Sequence, residues 1–140
     1  MRFVLDNSVV MRWLFGDGTD EAINYSTRIL AFLKQEDHVA VVPCIWALEV
    51  GNVIVRAESK GLLQEARSAE FFGILQHMAI ETDTRCKGHV LGDTLQLARR
   101  FKLSTYDASY LELALREGLA LATNDDALRK ALSNAGCNLA

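Results

Sequence analysis

Four acidic residues stand where a carboxylate can do chemistry. Asp6 directly follows Phe3-Val4-Leu5, and Glu49 lies behind the apolar run Val39 to Val42. Asp107 precedes a helical pattern, and Asp125 follows Leu119-Ala120-Leu121-Ala122. A buried strand that ends in Thr-x-Asp puts its carboxylate at the carboxyl edge of a sheet, where open α/β sheets gather ligands. Each Asp also has a plainer use, because Asp at a helix start caps free N–H groups for about 1 kcal/mol. Glu49 resists that reading. It falls inside a helical pattern with Trp46, Leu48, Val50 and Val53 around it, and Glu is almost never fully buried unless paired. Asn52, one turn on, shares its helical face and is placed to hold it by a hydrogen bond.

Magnitudes favour a cation. Two carboxylates ~5 Å apart repel by roughly 3 kcal/mol at an effective dielectric of 20, so four in one pocket require shared protons or bound ions. Oxygen ligands without Cys or His suit Mg²⁺ or Mn²⁺ rather than zinc. Such an ion acidifies a water, polarises a phosphoryl group and orients an in-line attack. Ser8, Thr105 and Thr123 beside these acids can orient a carboxylate, a water or a phosphate. Asp126 reads as a helix-start charge first and an outer group of the site second.

The elements that must position these residues follow from periodicity. Arg2 to Leu5 reads as a buried strand, and Val9, Val10, Trp13 and Leu14 as a short helix broken by Gly16-Asp17-Gly18. A longer amphipathic helix starts at Asp20 and carries Ala22, Ile23, Ser26, Ile29, Leu30 and Leu33. His38 to Val42 is a second strand, and Pro43 opens the next helix, which runs to Gly61 as its C-cap. Leu62 to Met78 is helical, Ala79 to Glu81 a brief strand, and Cys86 to Phe101 helical again. A helix follows Ser104-Thr105-Tyr106-Asp107 and closes at Gly118. The strand before Asp125, the helix after it and a last strand, Cys137 to Leu139, complete the chain. Strands separated by helices imply crossovers and a parallel sheet covered on both faces. With no internal repeat and no linker composition, residues 1–140 read as one domain.

Composition narrows the function classes. Half of the 140 residues are hydrophobic and 24% are charged, as in ordinary globular proteins. No signal peptide and no membrane span is visible, so the expected location is cytoplasmic. Cys44, Cys86 and Cys137 suggest neither a disulfide framework nor a zinc site, and are expected as free thiols. His38, His77 and His89 lack ligand spacing. The net charge of −3 argues against a broad basic face for nucleic acid, but not against an acidic pocket turned attractive by a bound cation. Local basic clusters remain at Arg99-Arg100-Phe101-Lys102, Arg85-x-Lys87, Arg129-Lys130 and Arg56 with Lys60.

Four stretches together resemble a known family. Val4-Leu5-Asp6-Asn7-Ser8-Val9-Val10 with Trp13 resembles the opening of PIN-domain ribonuclease toxins of the VapC type. Pro43 to Asn52, Leu103 to Tyr110, and Leu121 to Asp125 with Leu128 resemble its second, third and fourth acidic motifs, in order. The resemblance implies an α/β fold, a three-layer α/β/α sandwich with a central parallel sheet of strand order 3-2-1-4-5. It implies a Mg²⁺- or Mn²⁺-dependent endoribonuclease that cuts RNA, forms a homodimer and is neutralised by a cognate antitoxin. Carried over by position, Asp6, Glu49, Asp107 and Asp125 are metal ligands, supported by Ser8, Asn52 and Thr123. Trp13 and Phe15 fall where an antitoxin groove would form, although core packing suits Trp13 better. Competing readings are a PIN fold that only binds, an aspartyl phosphatase and a receiver domain. The phosphatase needs Asp-x-Asp after the first strand, where this chain has Ser8; a receiver would have only Asp83 to phosphorylate.

Overall fold

Alternation along the first strand divides the molecule into layers. In the computed structural model, which describes residues 1–140, β1 (Arg2–Leu5) sends Phe3 and Leu5 to one face and Val4 to the other, as the period of two in a strand requires. β2 (Val39–Val42) repeats the pattern, with Ala40 and Val42 opposite Val41. On the first face lie α1 (Asn7–Phe15), α2 (Asp20–Leu33), α3 (Trp46–Ser59) and α4 (Glu65–Gln76), which share a core with Phe3, Leu5, Ala40 and Val42. The other face is covered by α5 (Leu95–Phe101), α6 (Thr105–Glu117) and α7 (Asp126–Asn134), packed on Val4, Val41 and Leu121.

With β3 (Ile80–Thr82) and β4 (Ala120–Ala122), the sheet is parallel throughout in the order β3-β2-β1-β4. The winding reverses at β1, between β2 and β4. The expected fifth strand is reduced to a single bridge between Leu121 and Leu139, fed by Leu121 N–H to Asn138 O and Ala140 N–H to Leu121 O. Gly136, at φ +74, turns the chain just before that segment and leaves it too short for a ladder.

Several expectations shift locally. The helix expected from Pro43 begins at Trp46, because the Pro43 carbonyl closes a turn onto the Trp46 N–H at 3.0 Å. Its end is a Schellman arrangement at Gly61 (φ +73), with Leu62 N–H on Ala57 O and Gly61 N–H on Glu58 O. The helix expected over Cys86 to Phe101 is broken into a tight turn Cys86–Gly88, a wide π-type turn Val90–Thr94 and only then α5. Cys44 and Cys86, 42 residues apart in sequence, form a disulfide with Cα atoms 6.5 Å apart. This corrects the expectation of three free thiols, which holds for Cys137 alone. No helix is long and apolar enough to cross a membrane.

Candidate metal centre

Asp6 leaves β1 at the N-cap position of α1, yet its side chain makes no capping bond. Its carboxylate is instead gripped by one hydroxyl from the first turn of α1 and one from the end of β4. Ser8 Oγ donates to Asp6 Oδ2 at 2.6 Å, and Thr123 Oγ1 donates to the same oxygen at 2.7 Å. Those hydroxyls are themselves fixed by main-chain donors, Asn124 N–H to Ser8 Oγ at 2.9 Å and Asp125 N–H to Thr123 Oγ1 at 3.0 Å. Both protein donors therefore converge on Oδ2, and Oδ1 is left for another partner. Asp6 is 4% exposed. Burial pushes its carboxyl up to about 6, against the two hydroxyl bonds, and Asp107 and Asp125 push it the same way.

Glu49 enters from the first turn of α3, half-buried. Tyr110, fully buried on α6, donates its hydroxyl to Glu49 Oε1 at 2.7 Å. Burial raises the Glu49 carboxyl above its usual range, and Asp6 and Asp107 add to the rise. Asp107 does not cap α6; Ser104 does, accepting the Asp107 N–H at 3.0 Å. The Asp107 carboxyl is raised too, first by burial and then by Asp125, against an opposing bond with the Ser104 hydroxyl. Asp125 does two things at once: Oδ1 caps α7 by accepting the Leu128 N–H at 2.8 Å, while the residue borders the same hollow.

All four acids line one cleft of about 500 Å³, at the carboxyl edge of the sheet between α1 and α3, together with Asn7, Ser8, Arg12 and Phe15. A larger hollow of about 810 Å³ lies at the opposite, amino edge, bordered by Lys34 to Val39 and Gly73 to Ala79. It is the poorer candidate, because parallel sheets bind ligands at the other edge. A His/Asp/Glu group with ligand atoms within 4.8 Å of one another occurs only at His89, Asp93 and Glu112. There Glu112 already has a cation, since Arg116 Nε donates to it at 2.7 Å and Arg116 Nη2 reaches Asp83. No three of the four cleft acids bring their oxygens within that 4.8 Å of one another.

The donor set fits Mg²⁺ or Mn²⁺: hard oxygens, a free Asp6 Oδ1, and three carboxyls raised first by burial and then by one another. Three expected supports stay outside. Asn52 is exposed and makes no bond to Glu49, because the stripe of α3 that faces the cleft runs through Glu49, Val53, Arg56 and Lys60. Thr105 and Asp126 are exposed, each turned away from the cleft as first residues of α6 and α7. Trp13 is tied inward, its indole N–H donating to Ser26 O at 2.8 Å, whereas Phe15 borders the cleft mouth. Sequence reasoning missed Tyr110 as the Glu49 partner, and missed Arg12. The only signal for Tyr110 was its position one turn after Asp107.

Comparison with known proteins agrees with the fold. Residues 3–132 match the family model for the PIN domain. No curated protein matches the chain. Among solved structures, the chain superposes on VapBC2 from Rickettsia felis, bound to a DNA fragment from their promoter. That match has a TM-score of 0.66 and 12% identity over 100% of this chain and 98% of that one. FitAcB from Neisseria gonorrhoeae follows at 0.63 and 16%, covering 99% and 96%. A toxin-antitoxin complex from Klebsiella pneumoniae gives 0.53 and 20%, covering 88% and 86%.

Proposed function

The chain belongs to the PIN-domain family, and from that premise we propose that it is a Mg²⁺- or Mn²⁺-dependent endoribonuclease of the VapC toxin type. The observation that carries the proposal is the convergence of Asp6, Glu49, Asp107 and Asp125 on one cleft, with Asp6 Oδ1 unclaimed by any protein donor. The four carboxylates hold the ion. Ser8 and Thr123 fix the rotamer of Asp6, and Tyr110 fixes that of Glu49. When bound, the ion supplies an acidified water and a polarised phosphoryl oxygen for in-line displacement.

A cognate antitoxin and a homodimeric state belong to the same proposal. Support for the antitoxin comes from the solved neighbours, which include a toxin-antitoxin complex. The cytoplasm, where RNA is the abundant polyphosphate, is the expected place of action. Purified protein mixed with total cellular RNA should cleave it with Mg²⁺ or Mn²⁺ and stop with EDTA, and Asp6→Asn should be inactive under both metals. Metal-independent cleavage would refute the mechanism. No cleavage by the wild type on any cellular RNA would leave the PIN fold as a binding module.

A further inference from the structure

The acidic cleft does not end at the carboxylates. It continues as a trench between α1 and α3, and three cations border it: Arg12 on one wall, Arg56 and Lys60 on the other. Arg12 lies about 9 Å beyond Asp6 along α1, at 1.5 Å rise per residue, and Arg56 about 10 Å beyond Glu49 along α3. Arg12 and Arg56 thus lie a similar distance along their own helices from Asp6 and Glu49, and both border the same cleft. Lys60, one further turn out, is about 16 Å from Glu49 along the helix.

Arg12 is held in place by its own turn. Its Nη1 donates to the Asp17 carbonyl at 3.2 Å and approaches Asp17 Oδ1 at 3.4 Å. The same nitrogen packs so closely on Gly18 that a Cβ there would meet it at 2.7 Å. Its Nε is buried and has no acceptor in the chain. Arg56 and Lys60 take part in none of the chain's ion pairs. Three cations thus border one acidic cleft with donor capacity unspent.

A polyanion entering this cleft meets a charge problem. One divalent ion offsets two of the four carboxylates, and the remaining two charges repel every phosphate within a Debye length of roughly 8–10 Å. Arg56 and Lys60 cancel that remainder, and Arg12, already paired with Asp17, adds a fork geometry that matches a phosphate.

We propose that Arg12 and Arg56 clamp, across the trench, a backbone phosphate of the RNA strand next to the cleavage point, and that Lys60 takes a phosphate further out, so that the strand leaves the metal centre along the α1–α3 trench. This rests on the ribonuclease reading, and it makes these three residues positioning residues that act on substrate binding rather than on the chemical step. The charged groups grip the backbone, so they carry no base specificity.

The test compares Arg12→Gln, Arg56→Ala and Arg56→Ala/Lys60→Ala with wild type on a fluorescein-labelled single-stranded RNA 12-mer. The charge-matched control is Arg99→Ala/Arg100→Ala on α5. Each trench variant should raise KM by about tenfold with kcat within about twofold. Each should also flatten the log-affinity against log-salt line by about 0.7 for every phosphate that is no longer gripped. Arg56→Lys should recover most of the binding, and the control pair should match wild type. The Mg²⁺-dependent rise in Tm should persist in every variant, showing an intact fold and metal centre. A wild-type KM and salt slope in Arg56→Ala/Lys60→Ala, with RNA still cut, overturns the trench path and spares the ribonuclease. So does a defect confined to antitoxin binding, which makes the trench a protein-docking surface. A wild type that neither binds nor cuts RNA overturns both.

Discussion

Replacing Asp6 by Asn should make the metal-free protein more stable at neutral and alkaline pH. Burial holds the Asp6 carboxyl at about 6 in the folded chain, against 3.8 for an unperturbed one. Because the folded value lies above the unfolded one, the native state keeps a proton that the unfolded chain has released. Stability therefore falls as pH rises through the window between them, and the decline is complete above about 6. A shift of roughly two units at 1.36 kcal/mol each amounts to about 3 kcal/mol. Close to half of that falls between about pH 5 and pH 8.

For a chain of this size an unfolding entropy near 2.1 cal/mol/K per residue turns 3 kcal/mol into roughly 10 °C of Tm. The metal-free wild type should thus drop by about 5 °C between about pH 5 and pH 8 relative to Asp6→Asn. Glu49 and Asp107 shift in the same direction and deepen the wild-type slope. The assay is thermal unfolding by circular dichroism after exhaustive EDTA treatment, repeated with excess Mg²⁺. Saturating Mg²⁺ should restore the wild type at the higher pH and do much less for the variant. A wild-type Tm that rises over this range, or a slope unchanged by the substitution, would refute the account of Asp6 as a desolvated carboxylate awaiting a cation.

Three further outcomes are expected. Tyr110→Phe removes the donor that orients Glu49; it should weaken Mg²⁺ by about 10–100-fold, as removal of an outer partner does, read from Tm against metal concentration, and an unchanged affinity would strip Tyr110 of that role. Arg116→Ala leaves Asp83 and Glu112 buried without their shared cation and should cost about 3–5 kcal/mol in urea unfolding, with a cost under about 1 kcal/mol counting against the network. Reducing the Cys44–Cys86 bridge, or replacing Cys44 by Ser, opens a loop of 42 residues and should lower stability by about 4 kcal/mol; equal urea midpoints with and without reductant would mean the thiols are not joined in solution.

The four acids were legible in the sequence for a local reason. Asp6, Asp107 and Asp125 sit where a strand run ends or a helix pattern starts, and such junctions in a parallel fold share one edge, whereas Glu49 stood out as an acid inside an otherwise apolar helix pattern. The first four strands were legible because Phe3-Val4-Leu5, Val39 to Val42, Ile80 and Leu119 to Ala122 are short apolar runs among helical patterns. What escaped depends on the meeting of distant elements. Tyr110 reads as an apolar helix position, and its hydroxyl acquires a role only because α6 crosses behind Glu49. Asn52 was placed on the Glu49 face by spacing alone, yet the cleft takes the stripe through Val53. The Cys44–Cys86 pair spans 42 residues, and no local pattern announces it. Arg12 carried no signal in the sequence, because its packing against Gly18 is a tertiary feature of a short loop.

The bonds from Thr123 to Asp6 and from Asn124 to Ser8 join points 117 and 116 residues apart. A ribosome adding about 5–20 residues per second needs roughly 6–23 s to travel that distance. Throughout that time a nascent chain carries Asp6 without the hydroxyl and the two acids that complete its surroundings. The pocket around Asp6 is therefore assembled only after the segment from Asp107 to Asp125 has been made, and no earlier stretch of the chain can close it alone.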